Sequence, residues 1–340
     1  MKIVVLDGRP MGVGRAPWAG LERLGEVEVY DYTPRDQVAA RAEDATVLVT
    51  NKAPIQADVL DALPALRFIA LTATGYDCVD VEAARRRGIS VANVPEYGTE
   101  SVAQYVFALL LELCHHVAVH DAAVRVGEWS AQPDFSIRKT RLVELAGKTM
   151  GIVGYGRIGR RVGELALAFG MKVIAHASRP WAEGDRPARW CALDELFAGA
   201  DVVSLHCPMG PKTAGLVDRH RLARMKPSAF LINTARGALV VEADLAEALA
   251  EGRLAGAAVD VTSVEPVRPE NPLLSAPNCL ITPHIAWATD EARRRLIEAT
   301  IANIEAFVEG RPVNVVNGIG ENTVTTKNTE DTKEESQRIG

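Results

Sequence analysis

Three side chains in the last third of the chain can act together as acid, support and anchor. Arg236 stands in Asn233-Thr234-Ala235-Arg236-Gly237, Glu265 in Asp260-Val261-Thr262-Ser263-Val264-Glu265-Pro266, and His284 in Thr282-Pro283-His284-Ile285-Ala286-Trp287. A histidine can release a proton near neutral pH. A carboxylate beside it stabilises the imidazolium and orients the ring. A guanidinium can hold a carboxylate through two parallel hydrogen bonds and polarise an adjacent carbonyl. Together these groups suit the reduction of a ketone. Taken singly, a surface arginine, a solvated glutamate and a loop histidine are the plainer readings. Their joint placement argues otherwise: each follows a separate strand-like run, at 230–233, 257–261 and 279–282. Open α/β sheets bind ligands outside the carboxyl ends of their strands.

A second constellation is Gly154-Tyr155-Gly156-Arg157-Ile158-Gly159. It follows an apolar run, Met150 to Val153, and leads into a helical pattern of Ile158, Val162, Leu165, Ala166 and Phe169. A bare glycine pattern is weak, but strand, glycine turn and helix in succession are the context of a dinucleotide fingerprint. Gly154 allows the tight turn, Gly156 lets backbone approach a pyrophosphate, and Gly159 lets the helix pack on the strand. The helix N-terminus offers unpaired N–H groups and a positive dipole end to phosphates. Dinucleotide enzymes that use NAD place an acid about 20 residues past the glycines, on the ribose hydroxyls. Here the corresponding strand ends His176-Ala177-Ser178-Arg179-Pro180, with no acid before Glu183. Ser178 and Arg179 can instead bind a 2′-phosphate, so NADP(H) is favoured over NAD(H), the alternative being that Arg179 is a surface charge and both are accepted.

These residues need a scaffold, and the pattern supplies one. Residues 2–92 alternate apolar strands (2–6, 27–30, 47–50, 68–71, 90–92) with helical stretches such as 56–62 and 81–87. Such alternation predicts a parallel sheet with helices on its faces. One long helix is predicted from Ser101 to about Gly127, apolar over an arc wide enough for a domain core and a partner subunit. A second alternation begins at the glycine motif, with six strands at 149–153, 172–176, 202–206, 230–233, 257–261 and 279–282. A last helix, from about Thr289 to Glu309, is expected to return to the first domain. The fold class is therefore α/β, with two doubly wound parallel-sheet domains and a cleft between them. The expected bounds are 1–98 plus 289–318 for a flavodoxin-like substrate domain, 99–288 for a Rossmann dinucleotide-binding domain, and 319–340 for a disordered tail poor in apolar residues. In the first domain, Thr72-Ala73-Thr74-Gly75-Tyr76-Asp77 follows a strand, and Gly75 can permit a nest of N–H donors for an anion. Lys52 follows another strand and can add positive charge. A plain loop and a solvated lysine are the alternatives.

Composition excludes some classes. The 340 residues carry 38 Lys and Arg against 44 Asp and Glu, a formal charge of −6, which argues against nucleic-acid or anionic-membrane partners. No apolar run approaches the roughly 18 residues needed to span a bilayer, and the start, Met1-Lys2-Ile3-Val4-Val5-Leu6-Asp7, reads as a strand rather than a signal peptide. The five cysteines, at 78, 114, 191, 207 and 279, form no CxxC pair, so neither a metal site nor a disulfide frame is expected. Free thiols in the cytoplasm are the plain reading.

On the stretches Gly154–Gly159, Leu205-His206-Cys207-Pro208, Ile232–Gly237 and Thr282–Thr289, the chain resembles the D-isomer-specific 2-hydroxyacid dehydrogenases over roughly residues 1–318. The resemblance implies Arg236, Glu265 and His284 as catalytic residues and Asp260 near the nicotinamide carboxamide. It further implies cofactor contacts from Gly154, Gly156, Arg157, Ile158, Gly159, Ser178, Arg179, Cys207, Pro208, Thr234 and Ala235. Substrate contacts are implied for Lys52, Thr74, Gly75, Arg236 and Trp287, together with a homodimer built through the dinucleotide domain. Within the family, Tyr97–Gln104, Gly127-Glu128-Trp129, Pro133-Asp134-Phe135 and Ala286–Thr289 are most similar to glycerate dehydrogenases that reduce hydroxypyruvate. Such enzymes often carry an aromatic after Pro-Asp-Phe, where this chain has Ser136-Ile137-Arg138. The small-molecule partner implied is a 2-keto or 2-hydroxy acid, hydroxypyruvate or glyoxylate foremost. The alternatives are a bulkier 2-keto acid and a non-catalytic nucleotide-sensing regulator on the same fold.

Overall fold

The computed structural model describes residues 1–12, 14–181 and 187–319; the disordered tail expected at 319–340 lies, but for its first residue, outside the described residues. The chain divides into two compact units, one of Met1–Tyr97 with the chain after Ala292, the other of Gly98–Ala292.

Among the described residues the first unit holds five parallel strands: β1 (Lys2–Val5), β2 (Glu26–Val29), β3 (Val47–Thr50), β4 (Phe68–Leu71) and β5 (Ser90–Ala92). Their order is β2-β1-β3-β4-β5, the flavodoxin-like doubly wound order. β3, β4 and β5 are buried along their whole length, because helices cover both faces of a parallel sheet. Hence they read as continuous apolar runs. The helix Val81–Arg86 is started by Asp80, whose side chain accepts from the Ala83 N–H at 2.8 Å, a standard N-cap. Near the end of the long helix Asp290–Val308, Phe307 stacks on Phe68 with ring centroids 4.5 Å apart. Asn303 donates to the Asn93 carbonyl at 2.8 Å.

Among the described residues the second unit holds seven parallel strands: β6 (Thr149–Val153), β7 (Lys172–His176), β8 (Arg189–Trp190), β9 (Val202–Leu205), β10 (Phe230–Asn233), β11 (Gly256–Val259) and β12 (Cys279–Ile281). The order β12-β11-β10-β9-β6-β7-β8 is that of a dinucleotide-binding sheet with one strand added at an edge. Seven strands correct the expectation of six, and the unforeseen one is β8. β8 is two residues long and pairs with Ile174 and Ala175, too short to carry any period. The order reverses between β6 and β9, and the crevice beyond their carboxyl ends is where ligands bind in such sheets.

The single helix expected over 101–127 is also corrected. It is two helices, Thr99–His115 and Val117–Arg125, bent by 53°. His116 between them is left-handed, with φ 47°, and its N–H closes on the Glu112 carbonyl at 2.8 Å. Such a residue ends a helix; no glycine signalled it. The first helix buries Val106, Phe107, Leu109, Leu110 and Leu113, whereas Val117, Val119, Val124 and Val126 around the second are exposed. Among the described residues no single helix is long and apolar enough to cross a membrane, and the bent pair reaches that composition only with core residues included.

Candidate active site

The glycine turn leaves β6 at the reversal of strand order. Gly154 has φ 96°, and a Cβ there would lie 2.5 Å from the Cys207 nitrogen and 2.6 Å from the His206 carbonyl carbon. Backbone cannot yield to such a clash, so the turn passes β9 only as glycine. Gly159, one turn into the helix Arg157–Ala168, would put a Cβ 2.1 Å from the Gly154 oxygen. Gly156 differs: nothing lies within 4 Å of its Cβ position. The two outer glycines are required by the protein's own packing, and the middle one faces open space at a helix N-terminus. That space suits a pyrophosphate.

Two further observations fit a dinucleotide. Thr234, just past β10, has a buried hydroxyl without a hydrogen-bond partner among the described residues, a group that a bound ligand would satisfy. Ser178 and Arg179 follow β7 and are exposed. The segment around them is braced. Trp190 Nε1 donates to the Ala177 carbonyl at 3.3 Å, Trp181 Nε1 donates to the Ala188 carbonyl at 2.8 Å, and the Trp181 ring stacks on Tyr155 of the glycine turn at 5.2 Å. Cys207 and Pro208 begin the loop after β9, where the Pro208 carbonyl accepts from the Thr213 hydroxyl at 2.8 Å. His206 beside them is paired with Ser204 Oγ at 2.8 Å. Part of the residue reaches the surface, yet desolvation of its ring lowers its pKa to about 4, so it stands neutral at pH 7.

Arg236 leaves β10 on a turn shaped by the buried Asn233, whose side chain donates to the Arg236 carbonyl at 2.9 Å and accepts from the Ala235 N–H at 3.1 Å. Next to it, Gly237 presses on the loop after β11: a Cβ would lie 1.9 Å from the Thr262 carbonyl carbon. The loops carrying Arg236 and Glu265 are therefore in direct backbone contact. Glu265 accepts from the Thr262 N–H at 3.3 Å through Oε1, and its Oε2 stands 2.7 Å from His284 Nδ1. With Nδ1 committed to the carboxylate, Nε2 is the ring nitrogen left for other chemistry.

His284 itself has φ 56°, a conformation that costs a non-glycine residue about 1–3 kcal/mol. Hydrogen bonds hold it there. Its N–H donates to the carbonyls of Asp260 at 2.8 Å and Thr282 at 3.0 Å. The Asp260 carboxylate, 1 % exposed, accepts from the Thr282 hydroxyl at 2.6 Å, the Ile285 N–H at 3.0 Å and the Ala286 N–H at 2.8 Å. Ser101 donates to the Ala286 carbonyl at 2.7 Å. Both oxygens of Asp260 thus clasp the segment that presents His284. Trp287, next along, is half-buried, its Cβ 3.8 Å from where a Cβ on Gly98 would be.

In the first unit, Lys52 and Thr74 are exposed and Gly75 is half-buried. Asp7, at the end of β1, accepts from three successive N–H groups, those of Asn51 at 2.7 Å, Lys52 at 2.5 Å and Ala53 at 2.8 Å. The Asn51 side chain donates to the Thr72 carbonyl at 2.5 Å, and Thr74 Oγ1 donates to the Val94 carbonyl at 2.8 Å. The loops bearing Lys52 and Thr74 are thereby joined. Sequence reasoning missed Asp7, Asn233 and the clasping role of Asp260. An acid or amide directly after an apolar strand was the only available signal.

Comparison with known proteins decides the family. Residues 107–286 match the family profile described as D-isomer specific 2-hydroxyacid dehydrogenase, NAD binding domain. A hydroxypyruvate reductase of Blautia hydrogenotrophica is 48 % identical over 93 % of this chain and 100 % of its own length. The chain belongs to the D-isomer-specific 2-hydroxyacid dehydrogenase family. A glycerate dehydrogenase of Methylorubrum extorquens is 39 % identical over 84 % of this chain and 89 % of its own. Among solved structures, an NADPH-dependent glyoxylate/hydroxypyruvate reductase of Sinorhizobium meliloti, in complex with NADP and malonate, matches with a TM-score of 0.80 and 30 % identity, over 93 % of this chain and 96 % of that one. As a 2-hydroxyacid dehydrogenase the chain carries the nicotinamide-binding sheet that its strand order displays.

Proposed function

We propose that this dehydrogenase reduces hydroxypyruvate and glyoxylate to D-glycerate and glycolate, with Arg236, Glu265 and His284 as its catalytic residues. The observation that carries the reading is the 2.7 Å pairing of His284 Nδ1 with Glu265 at the carboxyl ends of adjacent strands. When bound, the nicotinamide supplies the hydride that is added to the substrate C2. His284 Nε2 gives its proton to the carbonyl oxygen at C2, and the Glu265 carboxylate stabilises the imidazolium before the transfer and orients the ring during it. Arg236 takes the substrate carboxylate through its planar fork and draws charge from the neighbouring carbonyl. Proton and hydride together convert the ketone to the hydroxyl. The same reading gives Lys52, Thr74, Gly75 and Trp287 contacts with the substrate, on the chemistry of a cation, backbone N–H groups and an aromatic wall.

The residues that would hold the cofactor are Gly154, Gly156, Arg157, Ile158, Gly159, Cys207, Pro208, Thr234, Ala235 and Asp260, with Ser178 and Arg179 on the 2′-phosphate. NADP(H) is preferred in this reading, supported by two exposed phosphate-binding side chains where an acid would select NAD. The relative described as NADPH-dependent accords with it. The homodimer of this reading is supported by exposed apolar side chains between Val117 and Phe135, which are 63 % and 90 % exposed, since exposed apolar groups favour a partner. A cytoplasmic location suits the five free thiols. Turnover of a panel of 2-keto acids with NADH and NADPH tests the reading. Highest kcat/KM with hydroxypyruvate or glyoxylate and NADPH supports it, preference for a bulkier keto acid replaces the substrate, and no turnover of any acid rejects the enzyme.

A further inference from the structure

The carboxylate of Glu242 has a place in this arrangement that the Arg236, Glu265 and His284 chemistry does not use. Glu242 opens the helix Glu242–Ala250, five residues past Gly237. Its Oε1 accepts from the Ser263 N–H at 2.7 Å, and its Oε2 accepts from the Ser263 hydroxyl at 2.6 Å and from Asn271 Nδ2 at 3.0 Å. Asn271 in turn caps the short helix Pro272–Ser275, its Oδ1 accepting from the Leu273 N–H at 3.0 Å. All these partners of Glu242 are neutral donors, so the arrangement is a clasp on a loop rather than a surface ion pair, and a carboxylate accepting such bonds binds more firmly than a neutral acceptor.

The clasped loop is the one that carries Glu265. Ser263 lies between Thr262, whose N–H binds Glu265 Oε1, and Val264, whose carbonyl accepts from the Thr262 hydroxyl at 2.8 Å. The same stretch of chain grips that loop twice, once through the backbone contact of Gly237 with Thr262 and once through Glu242. Arg236 sits beside the first grip. We propose that Glu242 is a positioning residue, which fixes the Glu265 carboxylate against His284 and keeps it in register with Arg236. This rests on the reading that Arg236, Glu265 and His284 perform the reduction.

A positioning role differs from mere support in one measurable respect. An imidazolium keeps its proton to higher pH when a carboxylate is held beside it. If the Glu265 loop loosens, the alkaline limb of kcat/KM for keto-acid reduction moves to lower pH. Glu242→Gln is the sharp variant: its amide has the same size but one acceptor atom, so either the Ser263 N–H or the hydroxyl and Asn271 side now faces an N–H₂. The expected result with hydroxypyruvate is a kcat roughly 10- to 100-fold lower, the scale for small misplacements of a reacting group. The alkaline limb moves to lower pH, and the KM for the cofactor stays near that of the wild type. Ser263→Ala, which removes only the hydroxyl, moves the same limb in the same direction by less. It carries the test if Glu242→Gln does not fold, with thermal unfolding of each variant measured alongside. An alkaline limb at its wild-type position in the folded variants overturns the proposal, whatever happens to the rate. His284→Ala run in parallel separates the two levels: if it retains near-normal activity the underlying reading fails, whereas an inactive His284→Ala with an unmoved limb in Glu242→Gln overturns the positioning role alone.

Discussion

At the scale of single residues, the site is built from one committed bond and one strained backbone. His284 Nδ1 is held 2.7 Å from Glu265, and the positive φ of His284 is maintained by the carbonyls of Asp260 and Thr282. Arg236 has the complementary task in the proposed reading. Its Nη1 donates to its neighbour's carbonyl at 2.8 Å and the residue is half-buried, which would orient the guanidinium for a substrate carboxylate. Arg236→Lys keeps the charge but loses the planar fork. Steady-state kinetics of that variant should show a raised substrate KM and a lowered kcat together, with kcat/KM reduced by roughly 1.5–3 kcal/mol in transition-state terms, the range for a hydrogen bond to a charged group. Unchanged kinetics would put the carboxylate site elsewhere.

At the scale of elements, the loops after β7 and β9 each make a claim that can be checked. Arg179→Ala should raise the KM for NADPH about tenfold to a hundredfold, a loss of about 1.5–3 kcal/mol, and leave the KM for NADH nearly unmoved. Equal losses for both cofactors would place Arg179 in the adenine pocket or in folding. In the loop after β9, the depressed pKa of His206 makes it a source of acid sensitivity. The folded chain keeps this ring neutral down to about pH 4, while the unfolded chain protonates it below about 6.5. The unfolded state therefore binds more protons between those values, so this contribution is whole above about pH 6.5 and is lost as pH falls toward 4. Thermal unfolding of His206→Gln should accordingly fall less steeply than that of the wild type over this interval; parallel curves would remove His206 from the account. These elements also show what a sequence can and cannot display. β3, β4 and β5 are buried on both faces, which writes an unbroken apolar run that is easily read, and the three glycines sit where strand, turn and helix meet. β8 is two residues of arginine and tryptophan with no period at all, and the break at His116 depends on a left-handed residue that no glycine announced. The clasps of Asp7 and Glu242 join segments 44 and 21 residues apart, a relation that only the fold creates.

At the scale of the whole molecule, each unit has its own sheet and core, and the His284–Glu265 pair lies wholly within the second, on loops after β11 and β12. The chain's membership of the 2-hydroxyacid dehydrogenase family and its nicotinamide-binding sheet order agree with chemistry in which a small keto acid is reduced. In the proposed reading every other assignment follows from His284 as the proton donor, with Glu265 as its support. The most direct measurement is the rate of hydroxypyruvate reduction by His284→Ala at saturating cofactor, with cofactor binding measured separately by fluorescence titration. The account predicts a loss of roughly 10²–10⁴-fold in rate, the scale of a positioned general acid, with cofactor affinity retained. A rate near that of the wild type in a folded, cofactor-binding His284→Ala protein would contradict it.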